Sequence, residues 1–131
     1  LEGYSQLTRK IKTPIQLGEN FYGPRELYKA IEKKASNLVM PDFMRIGGVT
    51  GWINSAAIAG TGGIPISTHF YPEVGSHVMR VSKTAHWLEW LDWADDILLD
   101  PFTVIDGHVQ IPNKPGIGIE WNEKVANKYR I

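Results

Sequence analysis

The chain has 131 residues, and its 14 Lys and Arg residues balance its 14 Asp and Glu residues, so the formal net charge is zero. This balance excludes the strongly basic surface that is typical of a nucleic-acid-binding domain. Apolar residues make up 43% of the chain and charged residues 21%, which is ordinary globular usage and argues against a disordered, collagenous or coiled-coil chain. One compact domain is therefore expected.

The lack of cysteine excludes a disulfide scaffold, a thiol nucleophile and a cysteine-based metal site, and it fits a reducing compartment, so we expect a cytoplasmic protein. No apolar run approaches the roughly 18 residues of a membrane span, so we expect no membrane partner. The first residues, Leu1 to Tyr4, contain neither a start methionine nor a signal peptide. We therefore expect a soluble chain that is cut from a longer polypeptide.

Four short apolar runs recur along the chain, at residues 14–19, 37–42, 64–69 and 85–89. Most of them lead through a Gly or Pro turn into an amphipathic stretch, which predicts alternating strands and helices. The first helix is predicted after Pro24, the second from about Val49 to Ala59, and the third after Pro72. Their predicted apolar faces are Leu27, Tyr28, Ile31 and Ala35 in the first helix, and Val74, Val78 and Met79 in the third.

Each run ends in a polar residue, and these residues, Glu19, Asp42, His69 and Glu89, lie 23, 27 and 20 positions apart. Such spacing is that of a strand, a loop and a crossover helix, so the strands should lie side by side and parallel. All four polar ends then fall on one rim of the sheet. In parallel α/β folds this carboxyl-end rim is where the chemistry is placed.

The last part of the chain has a different pattern. Residues 102–105 and 108–111 flank Asp106-Gly107, which predicts an antiparallel hairpin followed by an irregular, Pro- and Gly-rich tail. A (β/α)8 barrel needs about 250 residues, so residues 1–100 account for half of one. An isolated half would leave strand edges unpaired, so we expect the remaining half of the barrel to come from the same or another chain.

The four rim residues are suited to acid–base chemistry. Histidine titrates near neutrality, and a carboxylate on the neighbouring strand can fix its tautomer, a role that Asp42 is placed to play for His69. The structural alternative is that such residues cap helices or hydrogen-bond within loops. Glu19 cannot hold a divalent cation alone, because Mg²⁺ prefers near-octahedral oxygen ligation that usually includes further carboxylates.

Two other groups of residues have the composition of a binding site. His69, Glu73 and His77 have the spacing of a helical zinc site, but Pro72 should start the helix after His69, which argues against a shared face. The remaining histidines, at 77, 86 and 108, are expected to be packed or surface residues. The cluster of Trp87, Trp90 and Trp93 fits either core packing or a stacking platform for sugars or bases, and core packing is favoured.

Four strings of the sequence together resemble the mandelate racemase subgroup of the enolase superfamily, that is, the mandelate racemase/muconate lactonizing enzyme family. They are Gly18-Glu19-Asn20, Met40-Pro41-Asp42 followed by residues 46–52, Ser67-Thr68-His69-Phe70 and His86-Trp87-Leu88-Glu89. Their order and spacing also match, and the resemblance extends over nearly the whole chain.

The resemblance implies the C-terminal half of a modified (β/α)8 TIM barrel, with residues 101–131 forming a hairpin and tail against the barrel or a capping domain. It implies that Glu19 is a ligand of a bound Mg²⁺. His69 and Asp42 would form the dyad that removes or returns the α-proton of a 2-hydroxy carboxylate, and Glu89 would hydrogen-bond the substrate carboxylate as it becomes an enediolate. Assembly into a homo-oligomer is a further implication.

The activity that the resemblance favours is a racemase, with dehydration of a sugar acid as the alternative within the same superfamily. The other metal ligands and the Lys-x-Lys base motif of the family have no match in the chain and would precede Leu1. A second alternative is therefore a non-catalytic barrel fragment. Both enzymes would remove the α-proton of their substrate, whereas a non-catalytic fragment would not.

Overall fold

The computed structural model describes residues 1–131 and alternates helices with short strands before ending in a hairpin and tail. No helix in it is both long enough and apolar enough to cross a membrane. The helices are α1 (Glu2–Lys10), α2 (Pro24–Glu32), α3 (Gly48–Thr61), α4 (Pro72–Met79) and α5 (Glu123–Ala126). The strands are β1 (Gln16–Leu17), β2 (Leu38–Val39), β3 (Thr103–Ile105) and β4 (His108–Gln110), and 3-10 turns lie at Asp95–Ile97 and Asn127–Tyr129.

The four apolar runs lie side by side in chain order and are parallel, as predicted. Leu17 of β1 lies opposite Val39 of β2, Val39 pairs with Ile66, and Ile66 pairs with Ala85. The regular strands are shorter than predicted, and the runs at 64–69 and 85–89 are joined through single bridges, because each run pairs briefly before the chain turns into a rim loop. The outer edges of β1 and of residues 85–89 have no partner strand.

The hydrophobic core lies between this sheet and helices α2 and α3. Trp52 of α3 is fully buried, lies beside Phe43, and donates its indole N–H to the Ser82 hydroxyl at 3.0 Å. Burying a side chain of this size contributes several kcal/mol, on the order of 3–5 when truncation to alanine is used as the measure. Around it pack the buried residues Leu27, Ala30, Ala35, Val39, Ile46, Ala56, Ala59, Ile66 and Val78.

The second helix corrects one sequence prediction. Tyr28 was expected on the apolar face of α2, but it is 49% exposed, and its hydroxyl donates to Glu32 at 3.1 Å. Successive helical residues differ by about 100° around the axis, so Tyr28 lies on the flank when Leu27 faces the core. Ala30 takes its place on the buried face, and Ala35 is buried beyond the end of the helix.

Helix α1 was not predicted. Two hydroxyls join it to the end of α2: the buried Ser5 donates its hydroxyl proton to the Lys33 carbonyl at 2.6 Å, and Thr8 donates to the Lys34 carbonyl at 2.9 Å. Glu2 in its first turn pairs with Lys33 at 3.3 Å, and Arg9 and Lys10 lie in its last turn. Acidic residues at the start of a helix and basic residues at its end favour the helix dipole, and this was the available sequence signal.

The tryptophan prediction is also wrong for two of the three residues. Trp87 is 70% exposed and Trp93 is 75% exposed, so neither is packed in the core. Trp87 lies within the last run of the sheet and Trp93 on the segment that follows it, and no further strand pairs with the outer edge of this run.

The predicted hairpin forms as β3 and β4, with Asp106 and Gly107 at its turn in left-handed conformations. The tail after it is tied back to the barrel half. The His77 ring contacts the Ile117 carbonyl at 3.0 Å and lies against the buried Phe102. His77 is thus a packed histidine, as expected, whereas the division of the chain into two parts at residue 100 stays a prediction.

Two glycines of α3 give a matched test of its packing. A Cβ on Gly51 would lie 1.9 Å from the Ile46 carbonyl oxygen, whereas a Cβ on Gly60 would make an ordinary 3.5 Å contact with Lys83. We expect Gly51→Ala to lower the free energy of unfolding by about 2 kcal/mol or more through overpacking. Gly60→Ala should raise it by up to about 1 kcal/mol through helix propensity. Denaturant titration of both variants measures this, and equal effects would contradict it.

Candidate active site

The four polar residues that end the runs lie on one rim of the sheet, where parallel register brings two of them together. Asp42 and His69 are bridge partners on neighbouring runs, and both are buried. The His69 Nδ1 atom lies 2.9 Å from Asp42 Oδ2. The predicted carboxylate–imidazole pair therefore forms from the backbone register itself.

The turn that follows the second run holds the Asp42 carboxylate in place. Its Oδ1 atom accepts hydrogen bonds from the backbone N–H groups of Met44 and Arg45, each at 2.9 Å. Burial alone would raise the pKa of Asp42, but the hydrogen bonds from Arg45, His69 and Met44 outweigh it and hold this pKa below its ordinary value. Asp42 is therefore ionised at neutral pH.

The ionised state of Asp42 fixes the tautomer of His69. A carboxylate can only accept hydrogen bonds, so Nδ1 of the imidazole carries the shared proton. In the neutral ring Nε2 is then an unprotonated acceptor. The pair thus presents a base whose accepting atom points away from Asp42.

Glu89 reaches the same rim from the fourth run. Its Oε2 atom accepts the backbone N–H of Phe70 at 2.8 Å, and its own N–H donates to the Thr68 hydroxyl at 2.8 Å. Phe70 and Tyr71 both have positive φ angles, 55° and 52°, which cost on the order of 1–3 kcal/mol each for residues that are not glycine. The Glu89 carboxylate satisfies the N–H group that this strained turn exposes.

Glu19 ends the first run and is half-exposed. Its Oε1 atom accepts a hydrogen bond from Nη1 of Arg45 at 3.0 Å, and Oε2 makes no hydrogen bond. The hydrogen bond to Glu19 raises the pKa of Arg45, so the guanidinium is charged. Six residues thus form a continuous series along the rim, each linked to the next by a direct hydrogen bond or by the peptide bond between His69 and Phe70. They are Glu19, Arg45, Asp42, His69, Phe70 and Glu89.

The donor set fits Mg²⁺ in part. A carboxylate with one free oxygen is the hard oxygen ligand that Mg²⁺ prefers. The chain positions no group of three or more His, Cys, Asp or Glu side chains that could hold a metal ion, so Glu19 would act together with ligands from outside these residues. Pro72 begins α4, as predicted, so His69 lies before the helix that carries Glu73 and His77.

A cavity of about 260 Å³ adjoins the rim through Phe70, whose ring centroid lies 4.0 Å from that of His69. The Trp93 ring also contacts Phe70, with the ring centroids 5.2 Å apart and the ring planes tilted by 43°. The lining is mainly apolar and contains one carboxylate, that of Glu73. The residues that line the cavity are Phe70, Tyr71, Pro72, Glu73, Leu91, Trp93 and Ala94.

Sequence reasoning missed Arg45 and Phe70. For Arg45 a signal was available, since an aspartate often accepts backbone N–H groups two and three residues later, which places residue 45 beside the rim. The left-handed backbone conformation of Phe70 could not be predicted, because residues other than glycine, asparagine and aspartate rarely adopt it.

Comparison with known proteins places these features in a family. The model of the family described as enolase C-terminal domain-like matches residues 1–125. An enolase from alpha proteobacterium bal199, solved with bound magnesium, is 59% identical and superposes with a TM-score of 0.94 over 96% of this chain and 35% of its own. An enolase from Bradyrhizobium, complexed with magnesium and mandelic acid, is 45% identical with a TM-score of 0.94 over 99% of this chain and 36% of its own.

Among curated proteins, the D-gluconate dehydratase of Thermoproteus tenax is 32% identical over 99% of this chain and 28% of its own length. The chain therefore spans about a third of the length of the proteins it matches. The predicted fold class, an α/β half of a (β/α)8 barrel, is confirmed by these comparisons.

The lowered pKa of Asp42 predicts a pH-dependent stability. Because this pKa lies below the ordinary value of 3.8, the Asp42 contribution is fully present above that value and is lost as the pH falls through the folded-state pKa. Asp42→Asn should make the free energy of unfolding depend less on pH in this acidic range. It should also lower the free energy of unfolding at neutral pH by about 1.5–3 kcal/mol, the range for charged hydrogen bonds.

Denaturant titration between about pH 2.5 and 6 measures both effects, with Asp106→Asn as the control. Asp106 lies exposed in the hairpin turn, and its carboxylate makes no hydrogen bond. The same acid slope in Asp42→Asn and in the wild type would contradict the prediction.

Proposed function

The chain belongs to the enolase C-terminal domain-like family, and from that premise we propose that the protein removes the α-proton of a 2-hydroxy carboxylate and acts as a racemase. The observation that carries the proposal is the buried His69–Asp42 pair, 2.9 Å apart, on the same rim as Glu89. An α-proton of a carboxylate is very weakly acidic, so its removal needs a positioned base and groups that stabilise the developing dianion.

His69 is the proposed base. Asp42 holds Nδ1–H, so the free Nε2 atom takes the proton from one enantiomer, and Asp42 stabilises the imidazolium that results. Returning the proton to the same face reverses the step. Inversion needs a second base on the opposite face, which would come from residues outside this chain.

Glu89 is the proposed electrophile. Its Oε2 atom already accepts from the Phe70 N–H, so in its acid form Oε1 is the oxygen left to donate a proton to the substrate carboxylate. This hydrogen bond strengthens as negative charge develops on the enediolate, which is the condition for stabilising a transition state rather than the ground state.

Glu19 is the proposed metal ligand from this chain, since its Oε2 atom is free. When bound, Mg²⁺ supplies positive charge beside the developing dianion. Structures of similar proteins hold magnesium, which supports Mg²⁺ as the cofactor. The remaining ligands and a capping domain would come from residues outside this chain, and we propose that the assembled enzyme is a homo-oligomer in the cytoplasm.

The apolar cavity beside Phe70 favours a substrate with a hydrophobic substituent over a polyhydroxylated chain. The cavity is lined mainly by apolar and aromatic side chains, and Glu73 is the only charged group in the lining that could bind a hydroxyl-rich substrate. The mandelic acid complex of the similar Bradyrhizobium enolase supports this choice. Dehydration of a sugar acid is the second candidate, and the similarity to a D-gluconate dehydratase favours it.

The two candidates and a non-catalytic barrel fragment differ in what happens to the α-proton in ²H₂O. We expect the complete protein with Mg²⁺ to incorporate solvent deuterium into an aromatic 2-hydroxy acid such as mandelate, with the hydroxyl retained. Formation of a 2-keto-3-deoxy product from an aldonic or aldaric acid would instead identify the activity as dehydration and contradict the racemase proposal. No exchange with either class would contradict both and favour the non-catalytic reading.

His69→Asn should abolish exchange from one enantiomer, with a loss of at least about 10²-fold, the lower range for a general base. NMR of each enantiomer separately measures this. His108→Asn is the matched control, because His108 lies exposed in the hairpin. Exchange from both enantiomers that survives His69→Asn would remove His69 from its role.

Glu89→Gln tests the electrophile while preserving the turn, because the amide oxygen can still accept from the Phe70 N–H. We expect kcat to fall by about 10²–10³-fold, because the amide NH₂ that replaces Oε1 can still donate a hydrogen bond but is far less acidic than a carboxylic acid and stabilises the developing enediolate less. The midpoint of thermal unfolding should stay close to that of the wild type. Glu120→Gln, on the exposed tail, is the control, and unchanged kcat in Glu89→Gln would contradict the assignment.

A further inference from the structure

One guanidinium group joins the loops that follow the first two runs of the sheet. Nη1 of Arg45 lies 3.0 Å from Oε1 of Glu19, 3.2 Å from the Glu19 carbonyl oxygen and 2.9 Å from Oδ1 of Asn20. It thus contacts both the side chain and the backbone of Glu19. The Glu19 side chain is half-exposed and has no other hydrogen-bond partner, so the Arg45 contact is what restrains it.

The backbone of the same residue holds the Asp42 carboxylate. The Arg45 N–H donates to Asp42 Oδ1 at 2.9 Å, and Asp42 in turn holds His69. Arg45 therefore links Glu19 and the His69–Asp42 pair through two different groups, its side chain and its main chain. A substitution of the side chain changes the first link and leaves the second intact.

We propose that Arg45 is a positioning residue that fixes the Glu19 carboxylate as a cation ligand at a set place relative to the His69–Asp42 pair. The inference rests on the proposed function, since it takes Glu19 as a ligand. Arg45 occupies one carboxylate oxygen and leaves Oε2 free, so it orients the ligand without consuming its donor atom.

The geometry of the ion makes this restraint matter. Mg²⁺ demands near-ideal octahedral coordination, so a carboxylate that swings freely on an exposed loop pays an ordering cost each time the ion binds. Hydrogen-bond partners of ligands commonly change metal affinity by about 10–100-fold when they are removed. The positive charge of Arg45 acts in the opposite direction by repelling the cation, so the sign of the measured change decides between restraint and competition.

The test is a binding titration of Mg²⁺, and of Mn²⁺ as a spectroscopic probe, on the complete protein without substrate. In Arg45→Met the stem is kept and the donors are lost, so we expect the cation dissociation constant to rise by about 10-fold or more. Arg45→Lys keeps a positive charge, but its Nζ atom lies one bond closer to the backbone than Nη1 does and reaches Glu19 less well, so it should give a smaller rise. Arg25→Met, on the exposed side of α2 where Arg25 makes no side-chain hydrogen bond, is the matched control.

The outcomes separate this inference from the proposed function. Wild-type protein that binds no cation would overturn the proposed function. Wild-type protein that binds cation while Arg45→Met binds it equally well or more tightly would overturn the positioning role alone. Weaker binding in Arg45→Met, with an unchanged unfolding midpoint and with Arg25→Met like the wild type, supports the role, because general destabilisation would move the midpoint.

Discussion

The parallel register between the second and third runs of the sheet is the constraint on which the site depends. It makes Asp42 and His69 direct partners across the sheet, so their side chains meet without help from a loop. Parallel strands point the same way, and their polar ends therefore gather on one rim. A shift of one residue in this register would turn one of the two side chains to the other face of the sheet and separate the pair, so the site and the sheet share one determinant.

The turns that leave the sheet convert this register into a fixed site. After the second run, backbone N–H groups close on the Asp42 carboxylate and help to keep it ionised despite its burial. After the third run, two consecutive left-handed residues aim the Phe70 N–H at Glu89. The first turn stabilises a charge, and the second keeps a strained backbone whose cost the Glu89 hydrogen bond helps to offset.

Much of this could be predicted from the sequence, because the relevant signals are local. The spacing of the polar ends gave the parallel order of the runs, and Asp106-Gly107 gave the hairpin. The face of α2 could be misjudged because Leu27 and Tyr28 are adjacent and both apolar. The exposure of Trp87 and Trp93 depends on which element lies beyond residues 85–89, and the strand lengths depend on pairing across the sheet. Neither the exposure of these tryptophans nor the strand lengths can be predicted from the local sequence pattern.

The two sheet edges without partners set how the chain would behave by itself in solution. Each edge, along β1 and along residues 85–89, presents backbone donors and acceptors that a barrel would otherwise pair internally. Such edges are templates for pairing with any other strand, and a second copy of the chain is the strand most available at high concentration. The segment is therefore suited to reconstitution of a split barrel with its complementary half, and prone to self-association when that half is withheld.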